Sequence, residues 1–179
     1  MILRSPLLGE FQATEDSIRY FADGLMGYET LKRFALVETE EFQPFLWMVS
    51  VDDPRVAFAL AEPELFYADR YDVPLGDSDK DVLDLHPGDT VSIFVLVSTL
   101  DGGRRITANL KGPVVVNDRN RLGKQVVIYN PAYSVRQAWL GSTSSDEHAP
   151  VAVAMDRTAA SPHPTNGSHR SSRLMIQHW

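Results

Sequence analysis

The sequence predicts an all-β fold, a barrel or sandwich of about nine short strands with one short helix, followed by a disordered C-terminal tail. Three observations carry that prediction. Short stretches either alternate apolar with polar residues or run β-branched, the marks of half-buried and fully buried strands. Gly, Pro, Asn and Asp punctuate them, as tight turns require. From Gly141 onward large apolar residues become sparse and Ser, Pro and His take over, so the chain divides into a domain over residues 1–140 and a tail over 141–179.

Taken in order, Ile2–Phe11 is a first strand turning at Leu8-Gly9-Glu10, and Ile18–Phe21 is a second, short one. Asp23-Gly24 and Met26-Gly27 make a glycine-bearing loop. Arg33–Glu38 and Leu46–Val51 are strands, closed by a turn at Asp52-Asp53-Pro54, where proline biases its predecessor towards extended backbone. Val56–Ala61 alternates large and small apolar residues and ends before Pro63. Asp77 or Ser78 caps the one helix, Val82, Leu83 and Leu85 give it an apolar face, and Pro87-Gly88 stops it. Thr90–Leu100 is apolar on both faces, with Val91, Ile93, Val95 and Val97 on one and Phe94 and Leu96 on the other, which predicts a central strand covered twice. Asp101–Arg104 is a hairpin turn. Ile106–Leu110 and Val114–Val116 read as separate strands broken by Gly112-Pro113, since proline has no amide proton to give a ladder. The polar, basic turn Asn117–Gly123 leads into a last strand, Lys124–Tyr129.

Composition excludes several function classes. None of the 179 residues is cysteine, so disulfides, thiolate metal sites and cysteine nucleophiles are out. No apolar run is long enough for a membrane helix, and the N-terminus lacks the basic and apolar regions of a secretory signal, so a cytoplasmic protein is expected. His86 is the one histidine in the domain, beside Pro87 and without a nucleophile-elbow motif to pair with. Asp77-x-Asp79-x-Asp81 lacks the glycine and glutamate of a calcium loop and reads better as helix N-terminal charge. Arg119, Arg121 and Lys124 carry no stacking aromatics among them, so the basic turn reads as a solvated turn and not a single-strand reader. No catalytic residue, metal site or cofactor is assigned, and the expected class is a binding protein, not an enzyme.

The net charge of −7 is unevenly placed: residues 38–89 hold fourteen Asp/Glu against three Lys/Arg, and residues 90–140 two against seven. Such asymmetry can steer a charged partner. Within the acidic block, Phe66, Tyr67, Asp69, Tyr71 and Asp72 combine carboxylates with exposed-looking aromatics, the composition of an interface that concentrates affinity on a few anchors. Asp72 is the residue of choice for partner contact.

The run Thr107-Ala108-Asn109-Leu110-Lys111-Gly112-Pro113-Val114-Val115-Val116-Asn117, followed by Gly123-Lys124-Gln125-Val126-Val127, resembles the signature of the FliW family of flagellar assembly factors. Phe21–Glu29, Pro44–Trp47 with Ser50 and Asp52-Asp53-Pro54, and Pro63–Asp69 resemble further family motifs in the same order. The resemblance covers residues 2–140, departs at Ala22, Met26 and Gln137 and around Arg70, and stops in the tail. It narrows the fold to a compact β-barrel-like domain, in which Gly24, Gly27, Asn109, Pro113, Asn117, Gly123 and Gln125 are motif residues. Asn109 and Gln125 lie beside apolar neighbours in β-segments, where a side-chain amide can satisfy backbone groups. The resemblance also implies a non-enzymatic switch. Such a protein binds flagellin and the RNA-binding translational repressor CsrA, by contact away from the repressor's RNA surface, and so relieves repression of flagellin mRNA. Neither nucleic acid nor membrane is a direct partner. The alternative is a small-molecule-binding β-barrel or an enzyme with a scattered site. The barrel interior separates the two: a filled apolar core supports the adaptor, and a cavity with convergent polar groups supports the carrier.

Overall fold

The computed structural model describes residues 1–100 and 104–141 in full and 173–175 as backbone. The hairpin β1 (Ile2–Ser5) and β2 (Gly9–Gln12) stands apart as a two-stranded sheet. The main sheet contains β3 (Ile18–Tyr20), β4 (Arg33–Val37), β5 (Leu46–Ser50), β6 (Ala57–Ala61), β7 (Thr90–Leu100), β8 (Arg105–Asn117), β9 (Gly123–Gln125), β10 (Gln137–Ala138) and β11 (Arg173–Met175). Strands β3 to β9 pair antiparallel with their sequence neighbours, β10 adds to β8 and β11 to β7. The sheet curls until its ends meet. Tyr20 of β3 forms a parallel bridge with Leu122, and its N–H donates to Arg121 O at 3.1 Å.

Strand alternation splits the core between the two faces. Phe21, Phe34, Met48, Leu60, Phe94 and Val114 fill the inside of the curl, each no more than 4% exposed. Phe21 and Phe34 meet edge to face at 5.4 Å. Val91, Ile93, Val95, Leu110 and Val115 pack on the other face with Phe66, Tyr71, Leu83 and Leu85. Leu3 and Phe11 of the hairpin cover a third cluster on Trp47, Val49 and Ala59. Residues 91–95 are accordingly buried on both faces, as the apolar run in β7 predicts.

The expected last strand Lys124–Tyr129 is shortened to β9, with residues 126–129 beyond its end, and the structure differs from the sequence expectation in four further places. First, Gly112-Pro113 does not end a strand: β8 runs through it. Register places Phe94 opposite Val114 but Leu96 opposite Asn109, so Val95 faces the bulged residues 110–113. Proline is tolerated there because a bulge asks no ladder proton of it. The bulge turns to new partners, with Leu110 N–H on Ser134 O at 2.9 Å and Pro113 O accepting from Val126 N–H at 2.9 Å. Second, α1 (Asp77–Val82) is capped by Gly76, whose N–H donates to Asp79 Oδ2 at 3.0 Å, and not by Asp77 or Ser78. It ends before Pro87 because Asp84 takes a φ of +47°. Third, the basic turn is not free in solvent. Arg119 Nε lies 3.0 Å from Asp89 Oδ1, Arg121 Nη1 2.8 Å from Asp16 Oδ1 and Lys124 Nζ 3.0 Å from Asp79 Oδ1. The acidic and basic halves of the sequence thus partly neutralise one another in space. Fourth, three residues of the tail, Arg173–Met175, form a strand on β7. Residues 142–172 and 176–179 of the tail, and 101–103 of the expected turn Asp101–Arg104, lie outside the described residues.

Candidate protein-docking groove

The signature residues cluster at the seam where the sheet closes. A Cβ on Gly123 would stand 2.5 Å from Phe21 Cζ, so only glycine lets the Phe21 ring reach the core under β9. Gly24 and Gly27 take φ of +70° and +81°, and a Cβ on Gly24 would meet Tyr28 O at 2.6 Å. Gln125 links this loop to the bulge: its Oε1 accepts from Met26 N–H at 3.0 Å and its Nε2 donates to Gly112 O at 3.1 Å. Asn109 Oδ1 accepts from Lys111 N–H at 3.0 Å inside the bulge that holds Pro113. Asn117 is wholly buried; its Nδ2 donates to Leu83 O at 3.0 Å and its Oδ1 accepts from Arg119 N–H at 3.0 Å.

Around Asn117 lies the densest charge cluster. Arg119 holds Asp84 below the usual carboxylate range through a side-chain hydrogen bond. Asp89 is held low chiefly by the His86 N–H, with Arg119 and Asn117 adding to the effect. Each of these groups has a protein partner, so the cluster ties the end of α1 to the β8–β9 turn. His86 itself is exposed, 3.3 Å from Asp84 Oδ1. Among the described residues no group of three or more His, Asp or Glu is placed to hold a metal ion.

The segment after β6 is different. Phe66 is fully buried and Tyr71 is 7% exposed, both in the core cluster under β7 and β8. Neither is the exposed anchor expected from the sequence. The phenol of Tyr71 donates to Leu110 O at 2.6 Å, and burial pushes its pKa above the ordinary value, so it stays a neutral donor. Tyr67, half-buried, meets Tyr133 edge to face at 5.3 Å. Tyr133 Oη in turn accepts from Asp72 N–H at 2.7 Å. These aromatics pin the segment from beneath and leave its carboxylates outside. Asp69 is exposed. Asp72, 61% exposed, pairs with Arg70 at 2.7 Å.

Asp72 stands on the rim of an open groove of about 710 Å³. Residues 72–75 and 127–130 line it, together with Val91, Ile93 and Val115. Tyr129 is 89% exposed and Val127 49%, whereas the alternating Val126 and Ile128 are buried. Sequence reasoning passed over Tyr129 and Val127. The period-2 alternation of residues 126–129, just past the end of β9, was the signal, since it places an aromatic and a β-branched residue on the outward face. Apolar lining with charge and amide only at Arg70, Asp72 and Asn130 suits protein docking better than chemistry on a small substrate.

Comparison with known proteins decides the family. A family model described as FliW protein matches residues 3–139. This chain belongs to the FliW family. It is 31% identical to the flagellar assembly factor FliW of Clostridium beijerinckii, over 76% of this chain and 96% of that one. With its counterpart of the same name from Natranaerobius thermophilus it shares 34% over 76% and 90% of the two chains. A crystal structure of the flagellar assembly factor FliW superposes with a TM-score of 0.69 at 29% identity, covering 77% of this chain and 96% of that one. The family-model match ends at residue 139, just past β10. No helix among the described residues is long and apolar enough to cross a membrane.

Proposed function

We propose that this chain is a flagellar assembly factor that acts by exchanging protein partners. It binds flagellin, and it binds a CsrA-type translational repressor so that flagellin mRNA is released for translation. The observation that carries the reading is the match to relatives named flagellar assembly factor FliW along nearly their whole length. The repressor contact is the groove rimmed by Asp72 and Tyr129. The exposed carboxylates of Asp72 and Asp69 can meet cationic side chains of the repressor, and an exposed tyrosine beside an apolar floor offers a rigid anchor. Asp69 and the half-buried Tyr67 flank that contact. Phe66 and Tyr71 act from beneath it by holding the segment in place. Contact away from the repressor's RNA surface makes the antagonism allosteric, and the concentration of free flagellin sets how much of this chain is left for the repressor.

The packed interior of the curl favours this adaptor over a carrier with an internal ligand, because aromatic and aliphatic side chains occupy that space. The test uses the purified chain, a CsrA-type repressor and flagellin. Calorimetry should show binding to each protein alone, and the chain should release the repressor from a flagellin leader RNA until flagellin is added. A chain that binds neither protein would end the proposal.

A further inference from the structure

The edge of β7 is shared unequally. Strand β6 pairs with residues 95–97 and stops at Ala61 opposite Val95. The stretch Thr90–Phe94 therefore has β8 on one side and no strand of the barrel on the other. Asp118 N–H donates to Thr90 O at 3.1 Å, so Thr90 turns its backbone groups towards β8. Alternation then turns the N–H and C=O of Val91 and Ile93 to the open edge. Val91 and Ile93 also line the groove. An unpaired edge beside an apolar groove is a template for strand addition.

The chain's own C-terminus is seated on it. Strand β11 runs antiparallel to β7 with Arg173 opposite Ser92, Leu174 opposite Val91 and Met175 opposite Thr90. Residues 142–172 can span up to roughly 100 Å, so the tether does not restrict this docking. Such a short strand adds few hydrogen bonds and gains its occupancy from the high local concentration of a tethered segment.

We propose that β11 is a displaceable cap, held in cis, on the open edge of β7, and that an extended segment of a docking protein adds to the same edge in its place. The exchange rests on the docking reading of the groove; the cis occupancy does not. The cap keeps an edge that would otherwise pair between molecules covered until a longer strand outcompetes it.

The experiment compares the full chain with the full-length variant Leu174→Pro, which removes the N–H that register places opposite Val91. It uses neither repressor nor flagellin, so its failure is separate from a failure of the proposed function. In the variant the Val91 amide should exchange with solvent about tenfold faster, while Ser92, turned towards β8, exchanges as before. A labelled peptide of residues 170–179 should bind the variant about tenfold more tightly than it binds the full chain, whose edge is already filled. Unchanged Val91 exchange, or equal peptide binding by both proteins, overturns the proposal. So does protection that rises with protein concentration alongside a dimer in gel filtration, since the strand would then be donated by a second copy.

Discussion

The closing seam and the groove rim differ in how they use polar residues. At the seam Asn117 is fully buried and bonded at both ends of its amide, and Gln125 and Gly123 are equally committed to protein neighbours. On the rim Asp72 and Tyr129 are mostly exposed, and the Asp72 side chain pairs with the still more exposed Arg70. The residues that announce the family thus build the barrel, whereas the proposed docking side chains stand on the groove rim. A motif can be specific for a fold through its packing alone.

Substitutions at the seam break this comparison from the stability side. The largest effect is expected from Gly123→Val, which drives a branched side chain into the Phe21 ring and should cost about 3 kcal/mol, read from urea unfolding. Asn117→Ala should cost about 2 kcal/mol, because Arg119 N–H and the Leu83 carbonyl lose a buried partner. A loss within error in either variant would mean the seam relaxes more easily than its packing implies.

Arg119→Met sharpens the comparison through pH. Asp84 and Asp89 are depressed in the folded state, so the stability they contribute is present above their unfolded pKa of about 4 and lost as pH falls through the lower folded values. Removing Arg119 raises both folded values towards the unfolded one. The variant should therefore be less stable than the parent at pH 7, with the gap narrowing as pH drops below about 4. A gap constant down to acid unfolding would show that Arg119 acts through packing instead of charge.

The same contrast explains what could be read from the chain. Strand alternation is local, so the two-faced burial of β7 and the outward set of Val127 and Tyr129 were legible in period 2 alone. Gly112-Pro113 misled because proline's lack of a proton ends a ladder only where a ladder bond is due, and the bulge removes that demand. Phe66 and Tyr71 looked exposed because charged neighbours surround them in sequence. Their burial depends on Leu110 and Tyr133, which are distant in the chain. The pairing of Arg119 with Asp84 and Asp89 is equally non-local, and composition alone showed only two blocks of opposite charge. The three-residue strand β11 includes Leu174 and Met175 of the apolar run that stands out in the tail sequence, but the edge it pairs with is distant in the chain.

The most direct test measures stability and repressor affinity together in Gln125→Ala and Asp72→Lys, with Glu15→Lys as an exposed acidic control. Gln125→Ala should lose about 1 kcal/mol of stability, from the orphaned Met26 N–H and Gly112 carbonyl, and keep its affinity for the repressor. Asp72→Lys should keep its stability and bind about tenfold more weakly, equivalent to about 1.4 kcal/mol, while Glu15→Lys changes neither. The opposite result, with Gln125→Ala stable but unable to bind and Asp72→Lys binding as before, would put the interface on the seam and contradict the division between the two regions.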